Sequence, residues 1–339
     1  MQAITAFGPS PENPEGFLQE TSSSFPPLPG PQDLRVRVEA VAVNPVDLKV
    51  RSTLPREAPP QVLGWDAAGV VEAVGEAVER FAIGDAVMFA GAIHRPGCQA
   101  QSVLVDARLA GRKPAPLSFA EAAALPLTGL TAWESLFERL ALDPAGSDAG
   151  RTLLILGAAG GVGSLAIQLA RQAGLRVIAT ASRPESQAWV KQLGAESVVD
   201  HSQPLGPQLD ALGLATVDAI ANFHDTDRYW DLMAERIRPQ GAIVALVSSR
   251  GPVDLNRLKS KSVRFCWEYM FTRSQYRTED MAEQGAILDR LADAVEAGTL
   301  ISTAQTFLQP ISAATLSEAY ILLQKGHSLG KIVLSGWAG

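Results

Sequence analysis

The chain has 339 residues, about twice a common domain length, which favours two domains over one. Hydrophobic residues make up 47% and charged residues 19%, a balance that excludes a disordered chain. A formal net charge of −7 excludes a global attraction to nucleic acid or an anionic membrane, and the two cysteines, Cys98 and Cys266, are too few for a disulfide framework and point to a reducing, cytoplasmic setting.

The opening Met1-Gln2-Ala3-Ile4-Thr5-Ala6-Phe7 reads as a short strand leading into Gly8-Pro9, without the basic start or long apolar core of a secretory signal. Up to about residue 117 the pattern is β-rich, with strands expected at 34–43, 67–74, 85–89 and 101–105 between Gly and Pro turns. Ser118 and Glu121 have capping-box spacing ahead of Ala122, and a helical pattern resumes at 131–137. From Arg151 strand and helix alternate: strand 152–156, helix to Ala173, strand 176–180, helix 184–193, strand 197–199. Further strands are expected at 219–222, 242–247 and 263–267, with a helix near 278–297 behind them. Such alternation predicts a doubly wound, six-stranded parallel sheet of the Rossmann type. The tail carries an amphipathic helix at 313–324 and a last strand at 331–334, which is expected to rejoin the first domain.

One run, 152–170, is uncharged and long enough to cross a membrane, with Gly157 and Gly161 as a GxxxG pair. Its glycine, serine and glutamine dilute that reading, and a buried strand, a glycine turn and a helix explain the same residues better. In this second reading Ala158-x-Gly160-x-x-Gly163 forms the pyrophosphate turn of a dinucleotide site, departing from the usual motif at its first glycine. Gly160 lets the backbone approach phosphate, Gly163 permits close strand-helix packing, and Ala159, Gly161 and Val162 belong to the turn and the helix start that offers free N–H groups.

About 20 residues beyond such a turn an NAD enzyme places an acid on the ribose 2′-hydroxyl. Here the second strand ends in Ser182-Arg183, and no carboxylate stands there. Arg183 pairs with a 2′-phosphate and Ser182 donates to it, which favours NADPH (NADP+) over NADH. The plainer alternative makes Arg183 a solvated residue near a helix start. His201, after the third strand, either faces the adenine-side phosphate or caps a turn, and Phe223, after the fourth, completes the cofactor set.

The segments Asn44-Pro45-Val46-Asp47, Gly64-Trp65-Asp66-Ala67-Ala68-Gly69, Gly84-Asp85-Ala86-Val87, the turn from Ala158 to Gly163 and Gly330-Lys331-Ile332-Val333 follow one another in a specific order. With them the chain resembles the quinone oxidoreductase (zeta-crystallin-like) branch of the medium-chain dehydrogenase/reductase superfamily. Residues 119–133 and 267–273 are similar to its subgroup labelled zinc-type alcohol-dehydrogenase-like proteins. The resemblance implies a GroES-like β-rich domain, 1–128 and 299–339, around a Rossmann domain, 129–298, in a homodimer. It also implies that the interdomain cleft holds the nicotinamide, with Asn44, Trp65 and Thr131 near it and Lys331 reaching the cofactor from the tail.

The zinc enzymes of that superfamily carry Cys where Asn44 stands and His where Trp65 stands, and neither replacement is a usual zinc ligand. Their structural zinc needs four cysteines after the position of Val87, where only Cys98 remains, so no zinc is expected. Asp47 and Asp66 read either as ligands for something else or as structural acids beside turns. The expected activity is hydride transfer to a small-molecule electron acceptor, a quinone or carbonyl-conjugated alkene, with Asn44 and Thr131 orienting the reactants and no indispensable acid or base. Trp65, Trp267, Met270 and Phe271 are assigned to a flat acceptor pocket, although the last three read equally as core or interface. Alternatives are a zinc-free reductase or dehydrogenase acting on other carbonyls or alcohols, and a cofactor-binding protein without turnover. Neither nucleic acid nor membrane is an expected partner.

Overall fold

The computed structural model describes residues 1–10, 13, 16–22 and 28–337. The chain divides into two compact units, one made of Met1–Leu130 and Phe271–Gly339, the other of Thr131–Met270.

The second unit is uninterrupted in sequence. Its six strands are all parallel and run in the order Ser197–Val199, Arg176–Thr180, Thr152–Leu156, Val217–Asn222, Ile237–Ala245, Arg264–Trp267. This is the doubly wound order, in which the chain reverses direction across the sheet between Thr152–Leu156 and Val217–Asn222 and leaves a crevice at the carboxyl ends of those strands. All five residues of Thr152–Leu156 are buried, as a central strand covered on both faces requires. The uncharged 152–170 run therefore divides between this strand and the helix Gly161–Gln172. No helix among the described residues is long and apolar enough to cross a membrane.

In the first unit, Ala304–Leu308, Lys331–Ser335, Asp33–Ala42, Ala67–Val74, Ala86–Phe89 and Ala110–Arg112 follow one another across a sheet, and Ser102–Asp106 pairs with Asp33–Ala42. The last strand rejoins this unit as expected. Val333 lies opposite Ala42 in antiparallel register, which carries Lys331 past the end of the ladder toward Asn44. On the other side Val41 lies opposite Ala67, so Asp66 reaches the same end. Strand register alone thus gathers Asn44, Asp66 and Lys331, which are distant in sequence.

The sequence expectation fails at the second crossing. The chain returns to the first unit at Phe271, not near residue 299, and the helix expected behind the parallel sheet at 278–297 is Glu283–Glu296, packed on the β-rich unit. Two glycines permit this approach. A side chain at Gly111 would meet Leu288 Cβ at 2.4 Å, and one at Gly285 would lie 2.7 Å from the Arg108 carbonyl oxygen and 2.8 Å from that of Ala110. Ion pairs from Arg80 to Asp289 and from Arg112 to Asp293 and Glu296 fasten the contact at its rim. The sequence reading also passed over the edge strand Phe17–Ser22 and the helices Pro45–Thr53 and Thr226–Arg236, whose polar compositions mask their periodicity.

In an exposed helix Gly→Ala is worth about 1 kcal/mol of added stability. Gly285→Ala should instead destabilise by about 1–3 kcal/mol in urea unfolding, since its methyl group has no room against those carbonyls.

Candidate active site

The parallel-sheet unit ends its first strand in a turn whose backbone is shaped for an anion. Gly157 adopts φ +80°, the left-handed conformation that glycine tolerates best, so the tight-turn glycine stands one position ahead of Ala158. Its N–H donates to Thr180 Oγ1 at 3.1 Å, and that hydroxyl donates in turn to the Ile155 carbonyl, joining the turn to the neighbouring strand. Gly160 is the N-cap of the helix Gly161–Gln172. A Cβ there would meet only the Gly157 carbonyl oxygen, at 3.6 Å, so the space beside this backbone is open. At Gly163 a Cβ would stand 2.5 Å from the carbonyl oxygens of Gly157 and Ala158, and glycine is obligatory for packing. Ala159, Gly160, Gly161 and Val162 are half-buried, and their turn points the helix's unpaired N–H groups outward. Phe223 donates its N–H to the Leu156 carbonyl at 3.0 Å, which fixes the opposite wall of the crevice.

At the end of the second strand, Ser182 Oγ lies 3.3 Å from His201 Nε2, so two sequence-assigned residues meet. Arg183 caps the helix Pro184–Gln192, its backbone N–H donating to Ser186 Oγ at 3.1 Å. Arg228, which the sequence reading missed, donates to the His201 carbonyl at 2.8 Å from the first turn of Thr226–Arg236. Burial lowers the His201 pKa first, and the nearby Arg228 and Arg183 guanidinium groups add to the effect while Asp200 opposes it. The signal for Arg228 in the sequence was Asp225, three residues earlier, whose side chain caps that helix.

In the β-rich unit the gathered strand ends form a closed polar network. The Lys331 ammonium donates to the Val43 carbonyl at 2.8 Å, to Asn44 Oδ1 at 2.5 Å and to Asp66 Oδ2 at 2.9 Å. Its three N–H bonds are all engaged within this unit, and they hold Asn44 in place. Asn44 Nδ2 donates to Asp66 Oδ2 at 2.8 Å, and the Leu127 N–H donates to Asp66 Oδ1 at 2.7 Å. Burial pushes the Asp66 carboxyl up, against the pull of Lys331, Leu127 and Asn44. Asp47, also buried, accepts the Asn44 N–H at 2.9 Å, while its Oδ1 has no hydrogen-bond partner among the described residues; burial pushes it up to about 7. Both acids are tied into the hydrogen bonding of the strand and helix ends around Asn44.

The position of a catalytic zinc in related folds is chemically foreign to zinc in this chain. Trp65 Nε1 is a donor engaged with the Ala92 carbonyl at 3.3 Å, both ends of the Asn44 amide are held, and an ammonium already sits against Asp66. Burial pushes the Cys98 thiol up, and the thiol donates to the Asp66 carbonyl at 3.3 Å. Among the described residues no group of three or more His, Cys, Asp or Glu could hold a metal ion. These residues do not fit the metal.

The aromatic assignments separate. Trp65 and Phe271 meet edge to face with ring centroids 6.1 Å apart, both buried in the β-rich unit. Trp267 is instead 47% exposed and packs its ring on Phe265, 5.1 Å away, which in turn contacts Trp230. Trp267 lies in the edge strand of the parallel sheet, and Met270 is buried at the end of the same unit. Thr131 is buried one turn beyond Leu127 on the helix Pro126–Trp133.

Residues 30–132 match the alcohol dehydrogenase GroES-like domain family and residues 161–284 the zinc-binding dehydrogenase family. A zinc-type alcohol dehydrogenase-like protein of Staphylococcus aureus is 38% identical over 322 residues, covering 95% of this chain and 96% of that protein. A solved structure from Rhizobium etli, provisionally named a zinc-dependent alcohol dehydrogenase, is 44% identical with a TM-score of 0.92 over 100% of this chain and 99% of that one. A quinone oxidoreductase structure from Pseudomonas syringae is 29% identical with a TM-score of 0.82, covering 99% of this chain and all of that one.

Asp47 supplies a test of the buried network. Its raised pKa means that the folded state keeps a proton that the unfolded chain releases near pH 4, so Asp47 erodes stability as pH rises from about 4 to about 7. Asp47→Asn, which retains an acceptor for the Asn44 N–H, should unfold less readily than the native chain at pH 8 by roughly 1–4 kcal/mol and show little advantage at pH 4. Denaturant titrations at the two pH values measure the difference.

Proposed function

The chain belongs to the medium-chain dehydrogenase/reductase superfamily, and on that premise we propose that it is a zinc-independent, NADPH-dependent reductase of quinones or carbonyl-conjugated alkenes. The observation that carries this reading is that Ser182 and His201 meet at the end of the second strand with the cations Arg183 and Arg228 beside them, where NAD enzymes present an acid. A 2′-phosphate offers three acceptor oxygens to these donors. The turn around Gly160 and the helix behind it suit the pyrophosphate.

NADPH, when bound, supplies the hydride. Asn44 is held rigid by Lys331 and Asp66 and keeps a second amide N–H beyond the one given to Asp66, which suits an orienting role toward an acceptor oxygen. Thr131, equally buried, serves with it to hold the reactants and exclude water. Hydride addition to a quinone or enone leaves an oxyanion or enolate that takes its proton from water, so no dedicated acid is required. The donor set around Asn44 and Trp65 supports zinc independence, and the likeness to a quinone oxidoreductase supports the acceptor class.

Three measurements test the proposal. Arg183→Ala and Arg228→Ala should each weaken NADPH binding by about 10- to 100-fold while changing NADH little, as expected for loss of one charge-assisted contact worth about 1.5–3 kcal/mol. Equal losses for both cofactors would show that the pocket does not read the phosphate. NADPH oxidation should proceed with quinones and enones and persist in chelator, whereas metal-dependent turnover of simple alcohols would overturn the reading. Asn44→Ala and Thr131→Ala should lower kcat/KM by about 10- to 100-fold without abolishing it.

A further inference from the structure

A cavity of about 420 Å³ lies wholly within the β-rich unit, bounded by residues 30–33, 92–95, 106–109 and the 274–281 segment. Its volume falls in the range of small-molecule sites. Ala92, Leu109 and Met281, all buried, make an apolar floor. Four of its charges are locked in pairs: Arg95 grips Asp33 through two hydrogen bonds of 2.7 and 3.1 Å, and Arg108 grips Asp106 through two of 2.9 and 2.7 Å. Arg277 is different. Its exposed side chain lines the cavity with no hydrogen bond or ion pair among the described residues, which leaves one uncompensated positive charge, with the His94 imidazole also on the lining.

The backbone of Arg277 points the same way. It ends the helix Thr272–Tyr276 at φ 49° and ψ 51°, donating its N–H to the Arg273 carbonyl. Glycine or asparagine closes a helix in this conformation more readily than arginine does. A long cationic side chain kept in the left-handed region, over a cavity in which every other arginine is paired, is the kind of local strain that accompanies a ligand clamp.

We propose that this cavity binds a small planar organic monocarboxylate, its flat body on Ala92, Leu109 and Met281 and its carboxylate in the guanidinium fork of Arg277. The fork matches a carboxylate in two parallel hydrogen bonds, and the single unpaired cation matches one negative charge. This site is independent of the cofactor crevice and of the reductase reading.

Benzoate is a suitable probe, titrated calorimetrically into the full chain at low salt with neither cofactor nor acceptor present, so the outcome is separate from any test of turnover. Saturable one-to-one binding is expected, with benzamide and inorganic phosphate at least about tenfold weaker. Arg277→Gly removes the charge and relaxes the backbone; it should weaken benzoate at least about tenfold while leaving the thermal unfolding midpoint unchanged or higher. Arg277→Lys, which keeps the charge without the fork, should fall between the two. Absence of benzoate binding, equal affinity in Arg277→Gly, or phosphate binding as tightly as benzoate would overturn the proposal.

Discussion

The β-rich unit is organised around one buried cation. An ammonium removed from water is tolerated only when each of its protons finds an acceptor, and Lys331 meets that condition with a backbone carbonyl, an amide oxygen and a carboxylate. Asp66 meets the reciprocal condition by accepting from Lys331, Asn44 and the Leu127 N–H. Three adjacent strands and a helix are joined at one point, and the Asn44 amide can adopt only one orientation there. Within this network the positive charge is supplied by a side chain and neutralised by the protein itself.

The parallel-sheet unit solves a different problem by the same economy of position. Its strand order opens a crevice beside Thr152–Leu156, and the groups that border it are mainly backbone: the Gly157 turn, the helix start and the Phe223 peptide. Side chains enter at the second strand end, where Ser182, His201 and Arg228 come from three separate elements. Backbone set by the topology thus borders the crevice along most of its length, and side chains distinguish only the end of the second strand.

The sequence made the parallel-sheet strands legible because buried strands carry apolar runs and helix starts carry Gly, Pro or capping residues; Thr152–Leu156, Arg176–Thr180 and Ser197–Val199 follow that pattern. It also made legible the glycine turn and the Ser182-Arg183 pair, whose meaning is local. What escaped was non-local. The docking of Glu283–Glu296 on the β-rich unit depends on Gly111 and Gly285, two residues that carry no periodic signal. Arg228 joins His201 only through the sheet order, and Lys331 meets Asn44 only through strand register.

The discontinuity of the β-rich unit gives its assembly a direction in time. Asn44 and its lysine partner are 287 positions apart, and all of the parallel-sheet unit is encoded between them. At ribosomal speeds of about 5–20 residues per second, roughly 15–60 s separate their emergence. During that interval the carboxylates of Asp47 and Asp66 have no cation to be buried with, and the sheet lacks the strand that joins Ala304–Leu308 to Asp33–Ala42. The contiguous parallel-sheet unit is synthesised whole before Lys331 emerges, so the network around Asn44 is the part of the fold completed last.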